Sequence, residues 1–285
     1  MPIDSPPDRP LATRDPRPRR HVLWVGRSGG LELTLARDAV AGIPGCTVRR
    51  LDAEWDDDAG PHPTCIVLVH ERGGEWSPER ALALSRRFPL VPIVAVAGSL
   101  ADGRRRSGPF LAGIEEIAWH DLAGRLGAWF GDVETGIAGS IGLPPTARRE
   151  DRILDAIRVS RPTEPPTRTP VSVVARDRTD LEGLVDLVRA CGHVVEESAL
   201  GRPAIDTLAR VLVWDVRSIR PADLEWLRIL AANRPGVAVV VLDSFPRGDS
   251  SAEALAAGAA AVLGRPVGLE VLAGTLASLA AARSA

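Results

Sequence analysis

Lysine is missing from this chain. All 35 of its basic residues are Arg, Gln and Tyr are missing too, and Asn occurs once, at Asn233. The pattern is that of a coding bias, so an Arg standing where Lys is expected carries less chemical meaning than it would elsewhere. Cysteine is nearly as scarce. Cys46, Cys65 and Cys191 are odd in number and fall in no metal-binding or redox spacing, which points to reduced, buried thiols and a cytoplasmic setting. No apolar core follows the first residues, which excludes a standard signal peptide. The Ala-rich stretch from Ala252 to Gly274 is broken by Gly, Pro and charge before it can span a bilayer. A formal net charge of −2 supplies no overall attraction to nucleic acid or to a membrane surface.

What is present is an ordinary globular balance, 45% hydrophobic and 25% charged, over 285 residues, enough for two domains with separate cores. Residues 1–20, MPIDSPPDRPLATRDPRPRR, hold little that can be buried and are expected to form a disordered arm. A Pro-rich break at RPTEPPTRTP, residues 161–170, separates two halves that each open on a short apolar strand, HVLWVG and VSVVAR. The expected division is therefore 21–133, a linker 134–170 with an amphipathic helix carrying Ile153, Leu154 and Ile157, and 171–285.

The second half alternates strand with helix. VSVVA is followed by DLEGLVDLVRACG, whose Leu181, Leu184, Val185 and Val188 fall on one helical face, with Gly192 as the stop. HVVEES, the helix AIDTLA, VLVWD, PADLEWLRILAANRPG, VAVVVLD, SSAEALAAG, AAVLG and GLEVLAGTLASLAAA follow. Five strands and five helices predict an α/β fold with a doubly wound, five-stranded parallel sheet in three αβα layers. The first half repeats the plan less regularly. His70 and Asp215 lie 145 positions apart, as do His120 and Arg265, and this shared offset suggests duplication.

In its second half the chain resembles the receiver domain of bacterial two-component response regulators, on the opening strand VSVVAR, on VLVWDVRS with its strand-ending Asp215, on VVVLDS, and on AAGAAAVLGRP. The resemblance implies two flavodoxin-like domains in tandem, the first more diverged. It also implies a pocket at the carboxyl ends of the strands, where receivers place a Mg²⁺-binding acidic pair, a phosphoryl-accepting Asp, a hydroxyl and a Lys. Mapped onto this chain, Asp215 is the acceptor equivalent. The acidic pair becomes Ala175 and Arg176, with Asp177 one step beyond. The hydroxyl becomes Asp243 followed by Ser244, and the Lys becomes Arg265 followed by Pro266. In the first half the counterparts are Gly26 and Arg27, His70, Ala97 and His120.

Two readings of this edge stand side by side. Arg176, Arg265, Asp215 and Asp243 either converge into a self-neutralised cluster or remain separately solvated. GRSGG at 26–30 and the arginines Arg104, Arg105 and Arg106 of GRRRSG offer an anion-binding alternative, against a tight βα turn and a solvated loop. Trp55 and Trp76 are expected to be exposed and to serve as interface candidates. The expected function is a non-enzymatic signalling module of tandem degenerate receivers. It would act on protein partners through segments 252–258 and 268–282 or the linker helix, as monomer or homodimer. It would need no cofactor, nucleic acid or membrane, and no metal unless Asp215 is phosphorylated with Mg²⁺.

Overall fold

The computed structural model describes residues 20–27, 29–51, 60–71, 75–101, 111, 113–134, 150, 154 and 168–282. The expected arm at 1–20 and the linker helix fall almost wholly outside them, as do Trp55 and Arg104 to Arg106. Unbroken Val, Ile and Leu runs form the central strands because a parallel strand covered on both faces has no side facing water. β3 (Cys65–His70) and β9 (Ala238–Asp243) are buried at every residue.

The first half contains β1 (Arg20–Val25), α1 (Leu31–Ala41), β2 (Cys46–Leu51), β3, α2 (Pro78–Arg87), β4 (Ile93–Ala97), β5 (Glu115–Ala118) and α3 (Leu122–Glu134). The second contains β6 (Pro170–Ala175), α4 (Arg178–Ala190), β7 (Val194–Leu200), β8 (Val211–Arg217), α5 (Pro221–Asn233), β9, α6 (Gly248–Ala256), β10 (Ala259–Gly264) and α7 (Leu269–Ala282). The strand orders are β2-β1-β3-β4-β5 and β7-β6-β8-β9-β10, all parallel. Both are the 2-1-3-4-5 permutation of the flavodoxin-like doubly wound fold, in which ligands gather at the carboxyl ends of the strands.

One predicted element is replaced. The AIDTLA segment between β7 and β8 forms a turn rather than a helix. Six residues after Pro203 give too few helical bonds to offset nucleation. Ile205 and Leu208 find little cover, at 39% and 76% exposed, and the Thr207 hydroxyl donates to Glu197 at 2.8 Å instead. Trp76 also departs from expectation. It is 4% exposed and its indole N–H donates to the Val69 carbonyl at 2.9 Å, so it belongs to the core and is no interface candidate.

The last helices of the two halves, α3 and α7, pack against each other. The contact is backbone on backbone. A Cβ added to Gly274 would run into the Gly124 carbonyl, and one added to Gly124 would strike Val271 and Thr275. Arg125 flanks this crossing, 6% exposed, with its Nε 3.1 Å from Glu115 of its own half and its Nη1 3.0 Å from Glu270 of the other. Nearby, the Gly264 N–H donates to Asp121 at 3.4 Å and the His120 ring lies against Gly264.

Gly274→Val is expected to lower the urea midpoint of the whole chain by the equivalent of about 1–3 kcal/mol, the usual cost of overpacking. Gly183→Ala, in an exposed turn of α4 with open space around it, is expected to raise stability by about 0.5–1 kcal/mol. Chemical denaturation of the two variants checks both directions.

Candidate functional site

At the carboxyl end of the second sheet, local chain rules bring charged groups to one place. Asp177 is the N-cap of α4, its carboxylate accepting the Asp180 N–H at 2.9 Å, and Asp180 sits in the first turn. Acidic side chains are favoured there because they satisfy or face the free amide groups of the helix start. From the neighbouring strand, β8 carries an irregularity in its pairing with β9 between Asp215 and Arg217, and Arg217 has φ 57°. A bulge of this kind re-aims the side chain that follows it. From β10, Arg265 enters at a cis peptide with Pro266.

The result is a closed network. The Arg217 guanidinium bonds Asp177 and reaches Asp180 at 2.7 and 3.1 Å. Arg265 bridges Asp180 at 2.8 Å and Asp215 at 3.2 Å. The other Asp215 oxygen accepts the Arg217 N–H at 2.9 Å. Asp215, 2% exposed, therefore has both carboxylate oxygens engaged. Burial raises its pKa above the ordinary aspartate value, opposed by the Arg217 N–H and the Arg265 charge. The Arg217 fork beside Asp180 has the opposite effect and holds that carboxyl below its ordinary value.

The expected four-residue convergence is thus half met. Asp215 and Arg265 pair, but Arg176 and Asp243 turn elsewhere. Arg176 donates to the Val216 carbonyl at 2.8 Å and to Asp223 at 3.2 Å. Asp223 is 2% exposed and also accepts the Arg220 N–H at the start of α5. Asp243 accepts the Phe245 N–H at 3.0 Å and shapes the loop after β9, where the Ser244 N–H bonds the Arg217 carbonyl. Asp180 and Arg217 take the vacated roles. Arg217 closes β8 two residues beyond Asp215, and for Asp180 the helix N-cap spacing from Asp177 was the available signal.

The first-half assignments shift by one residue. Val22 pairs with Cys65 as Val171 pairs with Val211, and both pairs line the core that carries the first and last helices of their half. Continued along the strand, that register sets Val69 opposite Asp215, so His70 is not the acceptor equivalent. The Trp119 N–H bonds the Ala97 carbonyl as the Arg265 N–H bonds that of Asp243. Trp119 is thus the counterpart of Arg265, and His120 that of Pro266. His70 is fully buried, and His120 bonds Asp121 at 2.8 Å beside the other half. Arg27 is exposed. In GRSGG the Gly29 N–H donates to the Glu71 carboxylate at 3.3 Å, so a built-in anion already faces the start of α1.

Among the described residues no group of three or more His, Cys, Asp and Glu side chains is arranged to hold a metal ion. The divalent cation implied by the receiver resemblance does not fit this edge as it stands. Hard cations need free carboxylate oxygens, and those of Asp177, Asp180 and Asp215 are turned onto guanidinium groups. The thiols are equally unsuited to chemistry: burial pushes Cys46 up to about 11 and Cys191 up to about 12.

No family model matches the sequence, and no curated protein matches it. Several solved structures are similar to it in part. A protein of Burkholderia pseudomallei K96243 described as pilus assembly-related is 24% identical over 40% of this chain and 90% of its own, with a TM-score of 0.38. A response regulator from Thermotoga maritima is 18% identical over 40% of this chain and 99% of its own, with a TM-score of 0.37. A protein described as a two-component system response regulator/GGDEF domain protein is 16% identical and covers 94% of this chain and 100% of its own, with a TM-score of 0.36. The strand orders themselves make both halves flavodoxin-type α/β domains.

In a carboxyl-carbon NMR titration Asp180 is expected to titrate below, and Asp215 above, the ordinary aspartate range. Asp180, with its lowered value, stabilises the fold above the unfolded-state pKa, and that contribution is lost as pH falls through its folded value. Asp215, with its raised value, acts in the opposite sense, so its protonation favours the folded state as pH drops. Asp180→Asn is expected to remove the first effect and to lessen the second, because the Asp180 charge also pushes Asp215 up while burial, the larger cause, remains.

Proposed function

We propose that the chain is a metal-independent interaction module of a signalling system, built from two receiver-like domains and acting without catalysis or phosphoryl transfer. The observation that carries this reading is the saturation of Asp215. A carboxylate attacks phosphorus through an oxygen lone pair aimed at the incoming group, and here one oxygen accepts the Arg217 N–H and the other faces Arg265. The charge compensation a metal would supply to that attack is already met by two fixed guanidinium groups. Nothing titratable in the first half stands in for the acceptor, since Val69 occupies that register position.

The partner surface differs from the one the sequence suggests. Segment 268–282 is α7, which is spent on α3 of the other half. This favours recognition of protein partners by surfaces outside the joint, including the outer side of α6 within 252–258. Net charge of −2 and the lack, among the described residues, of a helix long and apolar enough to cross a membrane favour protein over nucleic acid or lipid as the target class. A cytoplasmic location is consistent with the unpaired thiols. The anion-binding alternative is weakened at GRSGG by Glu71.

Incubation of the full chain with acetyl phosphate and Mg²⁺, followed by intact mass measurement, is expected to give no phosphoryl adduct, in wild type and Asp215→Asn alike. An adduct that Asp215→Asn abolishes overturns the proposal. A partner recovered from the native cell is expected to bind both proteins equally in chelator. Binding that requires Mg²⁺ counts against the reading.

A further inference from the structure

Each five-stranded sheet has one edge strand at the far end of its strand order from the joint. Among the described residues β2 is bonded only to β1, and β7 only to β6. The other two edge strands, β5 and β10, lead into the joint, where Asp121 accepts the Gly264 N–H. A strand with one unpaired side presents a row of backbone N–H and C=O groups that another strand can complete. The edge at β7 also exposes apolar surface, because the helix expected beside it is replaced by a turn. Val194 and Leu200 are 46% and 49% exposed, and Ile205 and Leu208 stand in the turn that follows.

The two edges differ in charge. β2, CTVRRL, carries Arg49 and Arg50 and no acid, while β7, VVEESAL, carries Glu196 and Glu197 and no base. One charge on each edge is already used. Arg49 lies against Gly60 and donates to the Pro61 carbonyl at 3.4 Å, and Glu197 accepts the hydroxyls of Thr207 and Ser172. Arg50 and Glu196 are different: both are exposed, and neither side chain bonds a described residue. Glu196 is also the residue that the irregularity between β6 and β7 leaves opposite nothing in β6, and such an extra residue stands outside the ladder.

We propose that copies of this chain associate head to tail, the β2 edge of one against the β7 edge of the next, with Arg50 and Glu196 as the charges that select this pairing. Opposite charges across a strand pair are stabilising and like charges destabilising. Two β2 edges would set Arg50 against Arg50, and two β7 edges Glu196 against Glu196, so only the unlike edges attract. An unlike contact leaves one β2 and one β7 free at its two ends, and it therefore closes into a ring or continues as a chain of copies. The state of Asp215 plays no part in this association, which adds a second copy of the chain to the partners of the module.

The test is sedimentation velocity on the full chain at high micromolar concentration and low salt. Wild type is expected at no less than twice the monomer mass. In about 1 M NaCl, where screening shortens the reach of a charge to about 3 Å, its association is expected to weaken several-fold. Arg50→Glu and Glu196→Arg are each expected to stay monomeric with unchanged melting temperature. Mixed in equal amounts, the two variants are expected to associate again, because each edge of one then meets an oppositely charged edge of the other. The double variant Arg50→Glu/Glu196→Arg is expected to associate as wild type does. A monomeric wild type, single variants that associate like wild type, or a mixture that stays monomeric overturns the inference. None of these results bears on the metal-independent reading, which the acetyl phosphate measurement tests by itself.

Discussion

Two guanidinium groups held among three carboxylates decide what the carboxyl edge of the second sheet can do. In water such pairs contribute little, because solvent screens them and side-chain entropy opposes them. Here the geometry is fixed by the backbone: Asp177 and Asp180 by the start of a helix, Asp215 by a buried strand, Arg265 by the strand beside it. Arg217 and Asp177 remain half exposed, so the better shielded pairs are those of Arg265 with Asp180 and Asp215. A carboxylate that is satisfied from both sides is a poor nucleophile and a poor metal ligand at once.

The fold was legible because parallel strands announce themselves. VLVWD and VAVVVLD are too continuously apolar to face water, and the helical stretches between them show the right periodicity, so two five-stranded sheets followed from pattern alone. The missing helix at AIDTLA illustrates the limit: composition permits a turn of helix there, while its length and Pro203 do not. The candidate site was half legible. Asp215 and Arg265 lie at strand ends, where sequence spacing points directly. Arg217 closes the same strand as Asp215, but its aim depends on a bulge that inserts one residue without any marking glycine, so position alone does not reveal it. The same effect misled the comparison of halves. Counting from strand ends set His70 against Asp215, whereas the pairing of β1 with β3 sets Val69 there.

The first half has a structural part of its own, and the joint between the halves shows it. α3 is the element on which the second domain rests, so the first domain is retained as a packing partner even where its edge carries Val69, Ala97 and Trp119. The buried Arg125, reaching Glu115 in one half and Glu270 in the other, ties the two cores through one side chain. Replacing Arg125 by an apolar residue would remove both ion pairs at once.

The crossing of α3 over α7 at Gly124 and Gly274 has one more consequence. Where main chain rests on main chain, no side chain is available at the point of closest approach for gradual adjustment. The angle between the two halves is thus inherited as a unit. Divergence can reshape the rims of each domain freely, but any larger residue at Gly124 or Gly274 has to be met by a matching retreat in the facing helix.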